Sequence, residues 1–251
     1  MPGETVRSHW TPSGRKVVMH PASFGFEAPV RRIGVLGDVH AEDVNVYAAL
    51  TWLTDRGAER IVCTGDLVEG VGDAERAVRL LREHEVVVVR SRRDLWYAHE
   101  TRWRTGMTWL SGATSEGQLP AALPDDDIDW MIGLPEVVHI ATVDGTLMLC
   151  HGVGVDGRNP LRIDDPADVI AQNLAFQDIV THWEQPALLV KGHSHFPGVA
   201  QLEGLPVLDA GTLVRDQDPC VWLLDSQERI ATRWSLSSGT VDSRSERVWG
   251  L

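Results

Sequence analysis

Six aspartate and histidine side chains follow short apolar segments in a pattern that is typical of metal binding. They are Asp38, His40, Asp66, His151, His193 and His195. Carboxylate oxygens and imidazole nitrogens together suit divalent manganese, iron, zinc or nickel. Because the side chains are spread over separate chain segments, they suit a pair of cations better than one structural zinc. The sequence therefore predicts a centre for one or two divalent metal ions per chain.

The spacing of these residues predicts how they share an ion. Asp38 and His40 are separated by one residue, and His193 and His195 repeat that spacing. In an extended chain, side chains two positions apart point to the same side, so each pair is predicted to face one way. Asp66 follows a glycine, where the backbone can turn tightly. Ligand sites in open α/β sheets gather at the carboxyl ends of strands, where we expect all six side chains to meet.

The segments that position these side chains alternate between apolar strands and helical patterns. In the first half, β-branched runs predict strands over Ile33–Leu36, Ile61–Cys63 and Val86–Val89, after a short strand at Lys16–Met19. Helical spacing predicts helices over Val44–Thr54, Ala74–Leu81 and, later, Asp165–His182. Further strands are predicted over Val137–Thr142, Thr146–Cys150, Leu188–Val190, Val207–Asp209, Val221–Leu224 and Arg229–Ser235. This order predicts two sheets packed face to face with helices outside.

The composition restricts the classes of partner. A formal net charge of -13 and a pI of about 5.1 argue against broad binding of nucleic acid or anionic membranes, since the far field repels polyanions. No apolar run is long enough to span a membrane, and Met1–Trp10 has no apolar leader segment. The 3 cysteines predict buried thiols in a reducing compartment, and therefore a cytoplasmic protein. The sequence does not predict an oligomeric state.

Five short blocks resemble the motifs of the calcineurin-like metallophosphoesterase family, in particular its small bacterial branch. The family motifs are Asp-x-His, Gly-Asp-x-x-Asp/Glu, Gly-Asn-His-Asp, His-Gly and Gly-His-x-His. The matching blocks are Asp38–His40, Gly65–Glu69, Ser91–Asp94, His151–Gly152 and Gly192–His195. The resemblance extends from about Arg32 to Asp225.

This resemblance implies a four-layer α/β/β/α sandwich of two mixed sheets flanked by helices. It also implies an N-terminal extension over residues 1–30, a phosphoesterase domain over residues 31–240 and a C-terminal tail over residues 241–251. One metal would be held by Asp38, His40, Asp66 and His195. The other would be held by Asp66, His151, His193 and the residue at position 92. The implied activity is hydrolysis of a small phosphorylated substrate, a phosphomonoester or a phosphodiester, by a metal-activated water.

Two arginines interrupt the family pattern at the Gly-Asn-His-Asp block. Arg92 replaces the asparagine, which ligates a metal in the family, and Arg93 replaces the histidine, which lies near the leaving oxygen. A protonated guanidinium has no lone pair to offer a metal and is a poor proton donor near neutral pH. Glu69 keeps the carboxylate that orients the histidine in the family. We therefore expect near one tightly bound metal per chain and a direct, partly buried ion pair between Glu69 and Arg93.

Two functions are compatible with this altered block. In the first, the protein remains a hydrolase, and Arg92, Arg93 and Glu69 form the catalytic set beside an altered or one-metal site. In the second, it is a degenerate phosphoesterase that binds metal or phosphate as a scaffold without catalysis. A zinc-dependent deaminase or amidohydrolase also uses aspartate and histidine, but it requires a barrel whose repeated pattern is absent from this sequence.

Several tryptophans follow the altered block and allow two interpretations. They are Trp96, Trp103, Trp109 and Trp130. They pack in the core, or they roof the pocket and stack on an aromatic group or nucleobase of the substrate.

Overall fold

The computed structural model describes residues 7–10, 16–19, 28–106, 123–182, 186–237 and 239–248. The strands are β1 (Arg7–Trp10), β2 (Lys16–Met19), β3 (Arg32–Leu36), β4 (Arg60–Cys63), β5 (Val87–Val88), β6 (Val137–Thr142), β7 (Gly145–Cys150), β8 (Leu188–Lys191), β9 (Gly198–Leu202), β10 (Leu205–Asp209), β11 (Cys220–Asp225), β12 (Ile230–Ser237) and β13 (Thr240–Val248). The helices are α1 (Asp43–Asp55), α2 (Ala74–Glu83), α3 (Arg92–Gly106), α4 (Asp125–Gly133), α5 (Ala167–Gln172) and α6 (Leu174–His182).

Two mixed sheets form the centre of the fold. The first has the strand order β13-β12-β11-β3-β4-β5, and the second has the order β6-β7-β8-β10-β9. Strands β3, β4 and β5 run parallel, as do β7, β8 and β10, whereas the other described pairings in these two sheets are antiparallel. Strands β1 and β2 pair with each other and with no other strand in the described part of the chain. The parallel strands bring their carboxyl ends to one edge of each sheet, as the site requires.

Three apolar clusters separate the four layers. Ile33 and Val62 of the first sheet pack with Val190 of the second in a cluster between the sheets. Leu50 of α1 packs with helices and strands in a second cluster, on the outer face of the first sheet. Phe176 of α6 lies in a third, on the outer face of the second sheet. The predicted four-layer α/β/β/α sandwich is therefore confirmed.

The predicted single helix over Asp165–His182 is wrong, because two helices meet at Asn173. The backbone of Asn173 is extended (φ -77°, ψ 96°), which ends α5. Its side-chain oxygen accepts a hydrogen bond from the backbone N–H of Phe176 at 3.1 Å and so caps α6. Its amide also exchanges hydrogen bonds with Asn159 at 2.7 and 3.0 Å.

The sequence prediction also omitted several elements. Helices α3 and α4 and strands β9 and β13 were not predicted, and the predicted strand Val86–Val89 is shorter, at Val87–Val88. The domain boundaries at residues 30 and 240 stay predictions, although Thr240–Val248 forms the edge strand of the first sheet. None of the helices in the described ranges combines the length and the hydropathy of a membrane-spanning segment.

Candidate metal centre

The six aspartate and histidine side chains gather in two groups that share one carboxylate. Asp38, His40, Asp66 and His195 form the first group, and Asp66, His151 and His193 form the second. Within each group the potential ligand atoms all lie within 4.8 Å of one another. Asp38 and His40 therefore lie in the same group of ligands, whereas His193 and His195 lie in different groups.

Backbone and side-chain contacts fix which atom of each histidine faces the centre. The Nδ1 atoms of His40 and His151 lie 2.7 Å from the carbonyl oxygens of Glu69 and Thr64. A carbonyl can only accept, so each Nδ1 carries the proton and each Nε2 keeps its lone pair. The Nδ1 of His195 lies 2.6 Å from Oε1 of Gln217, which can only accept as well. When their rings are neutral, three of the four histidines therefore present the lone pair of Nε2 as a ligand atom.

The first group converges tightly. The Nε2 atoms of His40 and His195 lie 3.2 Å apart, and His195 Nε2 lies 3.2 Å from Oδ2 of Asp38. Asp38 is fully buried, and its other oxygen accepts a hydrogen bond from Thr64 Oγ1 at 2.7 Å. The backbone N–H of His193 donates to Asp38 Oδ2 at 2.9 Å. Lone pairs that approach this closely are repulsive without a shared proton or cation, which fits a metal ion between them.

Asp66 supplies the clearest test of whether the residues fit a metal. Its Oδ1 is buried and has no hydrogen-bond partner among the described residues. This oxygen lies 3.6 Å from Nε2 of His151, and Asp66 Oδ2 lies 3.6 Å from Nε2 of His40. A buried carboxylate oxygen without a donor is costly. A divalent cation on each side of Asp66 would satisfy both oxygens, so the donor set fits two ions that share this residue.

The loops that carry these side chains are turned rather than extended. His40, Asp66, His193 and His195 all have positive φ angles, of 47°, 47°, 70° and 60°. The predicted extended geometry of Asp38–His40 and His193–His195 is therefore wrong, because the chain leaves each strand through a left-handed residue. Gly65 has a φ of 99°, as its predicted tight turn requires. Left-handed conformations cost energy for residues with a side chain, and such strain is typical of functional sites.

Close backbone packing holds these turns in place. A Cβ atom added to Gly70 would lie 1.8 Å from the carbonyl oxygen of His40. The amides of His40 and Ala41 donate to the carbonyls of Asp66 and Leu67 at 2.7 and 2.8 Å. The loop after β3 and the loop after β4 are thus fixed to each other.

The charges of the site shift its protonation equilibria. Burial would raise the pKa of Asp38, but the nearby charge of His151 and the hydrogen bond with His195 outweigh it and lower the pKa to about 2. The hydrogen bond to Asp38 raises the pKa of His195. Burial lowers the pKa of His193. For His151, burial opposes protonation, but Asp38 and Asp66 raise its pKa. A metal must therefore displace protons from His151 and His195.

A buried ion pair supports the loop that carries His193 and His195. Lys191 is 1% exposed and Asp209 is fully buried, and the Lys191 ammonium donates to Oδ2 of Asp209. Lys191 also donates to the carbonyl of Gly192 at 2.9 Å. The hydroxyl of Ser194, between the two histidines, donates to Asp209 Oδ2 at 2.6 Å. No local sequence pattern indicates this pair, because its members are 18 positions apart.

The altered block begins helix α3. Ser91 and Asp94 form a reciprocal cap, in which Asp94 N–H donates to Ser91 Oγ at 3.0 Å and Ser91 N–H donates to Asp94 Oδ2 at 3.1 Å. Arg93 Nη1 donates to Oε2 of Glu69 at 2.6 Å, so the predicted ion pair is confirmed. The pair is more open than predicted, because Arg93 is 59% exposed. Arg93 Nε also lies 3.9 Å from Oδ2 of Asp66.

Two cavities border the site. One, of about 700 Å³, is lined by residues that include His40, Asp66, Arg93, His193 and His195. The other, of about 530 Å³, is lined by Arg92, Arg93, Trp96, His151, Gly157, Arg158 and His193. Arg158 was not identified from the sequence, since a single arginine in a loop carries no signal.

Of Trp96, Trp103, Trp109 and Trp130, two have described side chains, and one of these lines a cavity whereas the other packs against the core. Trp96 is 54% exposed and lines the second cavity. Trp130 packs against the cluster outside the first sheet, near Arg82, so it does not roof the pocket. Trp109 and the side chain of Trp103 lie outside the described residues.

Comparison with known proteins places this geometry in a family. Residues 32–229, more than half of the chain, match the profile of the calcineurin-like phosphoesterase superfamily domain. The fold is similar to a hypothetical protein from Pyrococcus horikoshii OT3, with a TM-score of 0.65, 14% identity and coverage of 84% of this chain and 89% of that one. It is also similar to a metallophosphoesterase from Sphaerobacter thermophilus, with a TM-score of 0.56, 18% identity and coverage of 83% and 89%. Identities this low show the fold alone. No curated protein sequence matches the chain significantly.

Replacing one partner of the buried ion pair should destabilise the protein strongly. Lys191→Met leaves the Asp209 carboxylate buried without its cation, and we expect a loss of about 3–5 kcal/mol in the free energy of unfolding. Chemical denaturation of the metal-free protein measures it. The double variant Lys191→Met with Asp209→Leu removes both charges and should recover much of the loss. A single variant as stable as the parent protein would contradict the assigned role.

Metal affinity should fall as the pH falls. The raised pKa values of His151 and His195 mean that protons compete with the metal near neutral pH, so affinity rises with pH through these values and then levels off. Calorimetric titration of the metal-free protein with Mn²⁺, between about pH 6 and about pH 8, measures this dependence. His84→Gln, at an exposed position outside the site, should keep the same profile. An affinity that does not change over this range would contradict the assignment of these ligands.

Proposed function

This chain belongs to the calcineurin-like phosphoesterase superfamily, as its motifs predicted, and we propose that it hydrolyses a phosphomonoester or phosphodiester with the help of bound divalent metal. The observation that carries the proposal is the shared, buried Asp66 carboxylate, whose Oδ1 has no hydrogen-bond partner in the described part of the chain. A structural role alone does not account for an unpaired carboxylate oxygen that faces an imidazole nitrogen. A cation between the two groups does.

The two groups of ligands are unequal. The first would hold its ion with Asp38, His40, Asp66 and His195, and the second with only Asp66, His151 and His193. We therefore propose one tightly bound ion and, at the position next to the arginines, a weaker one or none. Nitrogen and oxygen donors admit manganese, iron, zinc or nickel. When bound, such metals lower the pKa of a coordinated water and neutralise phosphoryl oxygens.

Arg93 and Glu69 would act on the substrate phosphate. The Arg93–Glu69 contact holds the guanidinium beside Asp66, at the boundary of both cavities. A planar guanidinium can bind a phosphate through two parallel hydrogen bonds. It orients the phosphate and offsets its charge, but it is a poor proton donor. We therefore propose faster hydrolysis for leaving groups that need no proton.

The same contact supports a second candidate, a binding protein without catalysis. The guanidinium lies 3.9 Å from the carboxylate that both ions would share. A fixed positive charge at this distance opposes the binding of a second cation. Position 93 also lacks an imidazole that could protonate the leaving group. In this reading the site would bind metal and phosphate as a scaffold. For either candidate we propose a cytoplasmic location, because all three cysteines are buried and unpaired.

Hydrolysis of an aryl phosphate should depend on added metal and on Asp66. We expect release of nitrophenol from mono- or bis-nitrophenyl phosphate in Mn²⁺, with loss of activity on chelation and in Asp66→Asn. The matched variant Asp55→Asn, at an exposed position of α1, should keep parent activity. Activity that survives in Asp66→Asn would exclude this site as its source. A folded, metal-loaded and inactive parent protein would favour the binding protein instead.

Restoring the family residues should raise the rate. In Arg92→Asn with Arg93→His, the first change supplies a neutral metal ligand and the second an imidazole beside Glu69. General acid catalysis contributes about 10²–10⁴-fold, so the gain in kcat should be plain in the same assay. Arg79→His, on the exposed side of α2, tests for effects of any lost arginine. A folded, metal-loaded double variant that is no faster would show that the arginines do not limit catalysis.

A further inference from the structure

The second cavity carries more positive charge than one phosphate requires. Three arginines line it, namely Arg92, Arg93 and Arg158. Of these, Arg93 also lines the larger cavity and pairs with Glu69, whereas Arg92 and Arg158 do not line the larger cavity. Arg93 therefore borders both cavities, whereas Arg92 and Arg158 border only the second of the two.

The guanidinium groups of Arg92 and Arg158 have no carboxylate or other side-chain partner among the described residues, and only the backbone N–H of Arg158 contacts a carboxylate, that of Asp156 at 3.2 Å. This is unusual for a chain in which 36 acidic residues outnumber 23 basic ones. Other arginines here find carboxylates, such as Arg215 with Glu42 and Arg31 with Asp225. Two unpaired guanidiniums that share a concave surface leave a local positive potential, and anions are drawn to it despite the acidic character of the whole protein.

The position of Arg92 at the N-terminus of a helix is electrostatically unfavourable, and a bound anion would reduce this free-energy cost. Arg92 is the first residue of the 15-residue helix α3, and Arg93 is the second. Backbone amides at a helix N-terminus carry partial positive charge, so cations in the first turn are unfavourable. Arg93 offsets this through Glu69, but Arg92 does not. A bound phosphate near Arg92 and Arg158 would be stabilised by both guanidiniums.

An exposed indole lies beside these charges. Trp96 is 54% exposed, although it is a large apolar side chain, and it lines the same cavity as Arg92 and Arg158. Tryptophan offers a flat face on which a nucleobase stacks. The cavity volume of about 530 Å³ lies within the range of pockets that hold small ligands.

We propose that this site recognises a nucleotide that carries two phosphate groups. One phosphate lies at the metal centre beside Arg93, the second between Arg92 and Arg158, and the base against Trp96. The first phosphate position rests on the proposed function. The second phosphate and the base are bound by Arg92, Arg158 and Trp96, none of which is among the six proposed metal ligands.

Binding of adenosine compounds to the manganese-loaded protein tests this assignment. Calorimetric titration should give adenosine bisphosphate at least roughly tenfold tighter binding than adenosine monophosphate, since charged hydrogen bonds contribute about this much. Arg158→Gln should remove most of the difference, while Arg79→Gln, an exposed arginine of α2, should preserve it. Trp96→Leu should weaken both nucleotides and leave their ratio unchanged.

Two results would overturn the proposal. Equal affinity for the two nucleotides would exclude a second phosphate position, and unchanged affinity in Trp96→Leu would exclude the base position. These outcomes are separate from failure of the proposed function. A protein that hydrolyses nitrophenyl phosphate but does not distinguish the nucleotides keeps the function and loses this inference. A protein that prefers the bisphosphate without hydrolysing any ester keeps the inference and loses the function.

Discussion

Repulsion between buried carboxylates is the constraint around which this molecule is arranged. Asp38, Asp66 and Asp94 are all buried at one edge of the sandwich. Burial, followed by the charge of Asp66, raises the pKa of Asp94 to about 6. Three negative charges in a medium of low polarity are unstable unless donors or cations surround them. The histidines, the backbone N–H groups of Leu67 and His193 and the proposed metal ions all meet that need.

The groups that stabilise these buried carboxylates come from elements far apart in the chain. Asp38 receives hydrogen bonds from Thr64 and from the backbone of His193, 26 and 155 positions away. The Lys191–Asp209 ion pair also fixes the loop that carries His193, because the hydroxyl of Ser194 in that loop donates a hydrogen bond to Asp209. Each sheet contributes ligands, so the centre exists only when the two sheets are packed against each other. The site and the fold therefore depend on the same contacts.

The sheet and helix layers and the ligand residues at the strand ends could be predicted from the sequence because the patterns that indicate them involve only neighbouring residues. Apolar runs such as Ile33–Leu36 and the short blocks around Asp66 and His151 are read from neighbouring residues. The left-handed turns were not predictable, since the turn at His40 depends on Gly70 packing against it. Strand β9 escaped prediction because most of its side chains are only half-buried. The second cavity joins residues from α3 and from the loop after β7, a contact that no local pattern contains.

The cap of helix α3 has a consequence for how this family can change over evolution. Only the outer residues of the block, Ser91 and Asp94, form the reciprocal hydrogen bonds that start the helix. The inner residues, Arg92 and Arg93, face the cavities and contribute nothing to that cap. Mutation can therefore exchange the inner pair while the helix still begins at the same place. The outer positions of this short segment determine where the helix begins and the inner positions determine the chemistry of the cavity, so a lineage can acquire a new ligand preference without first losing its fold.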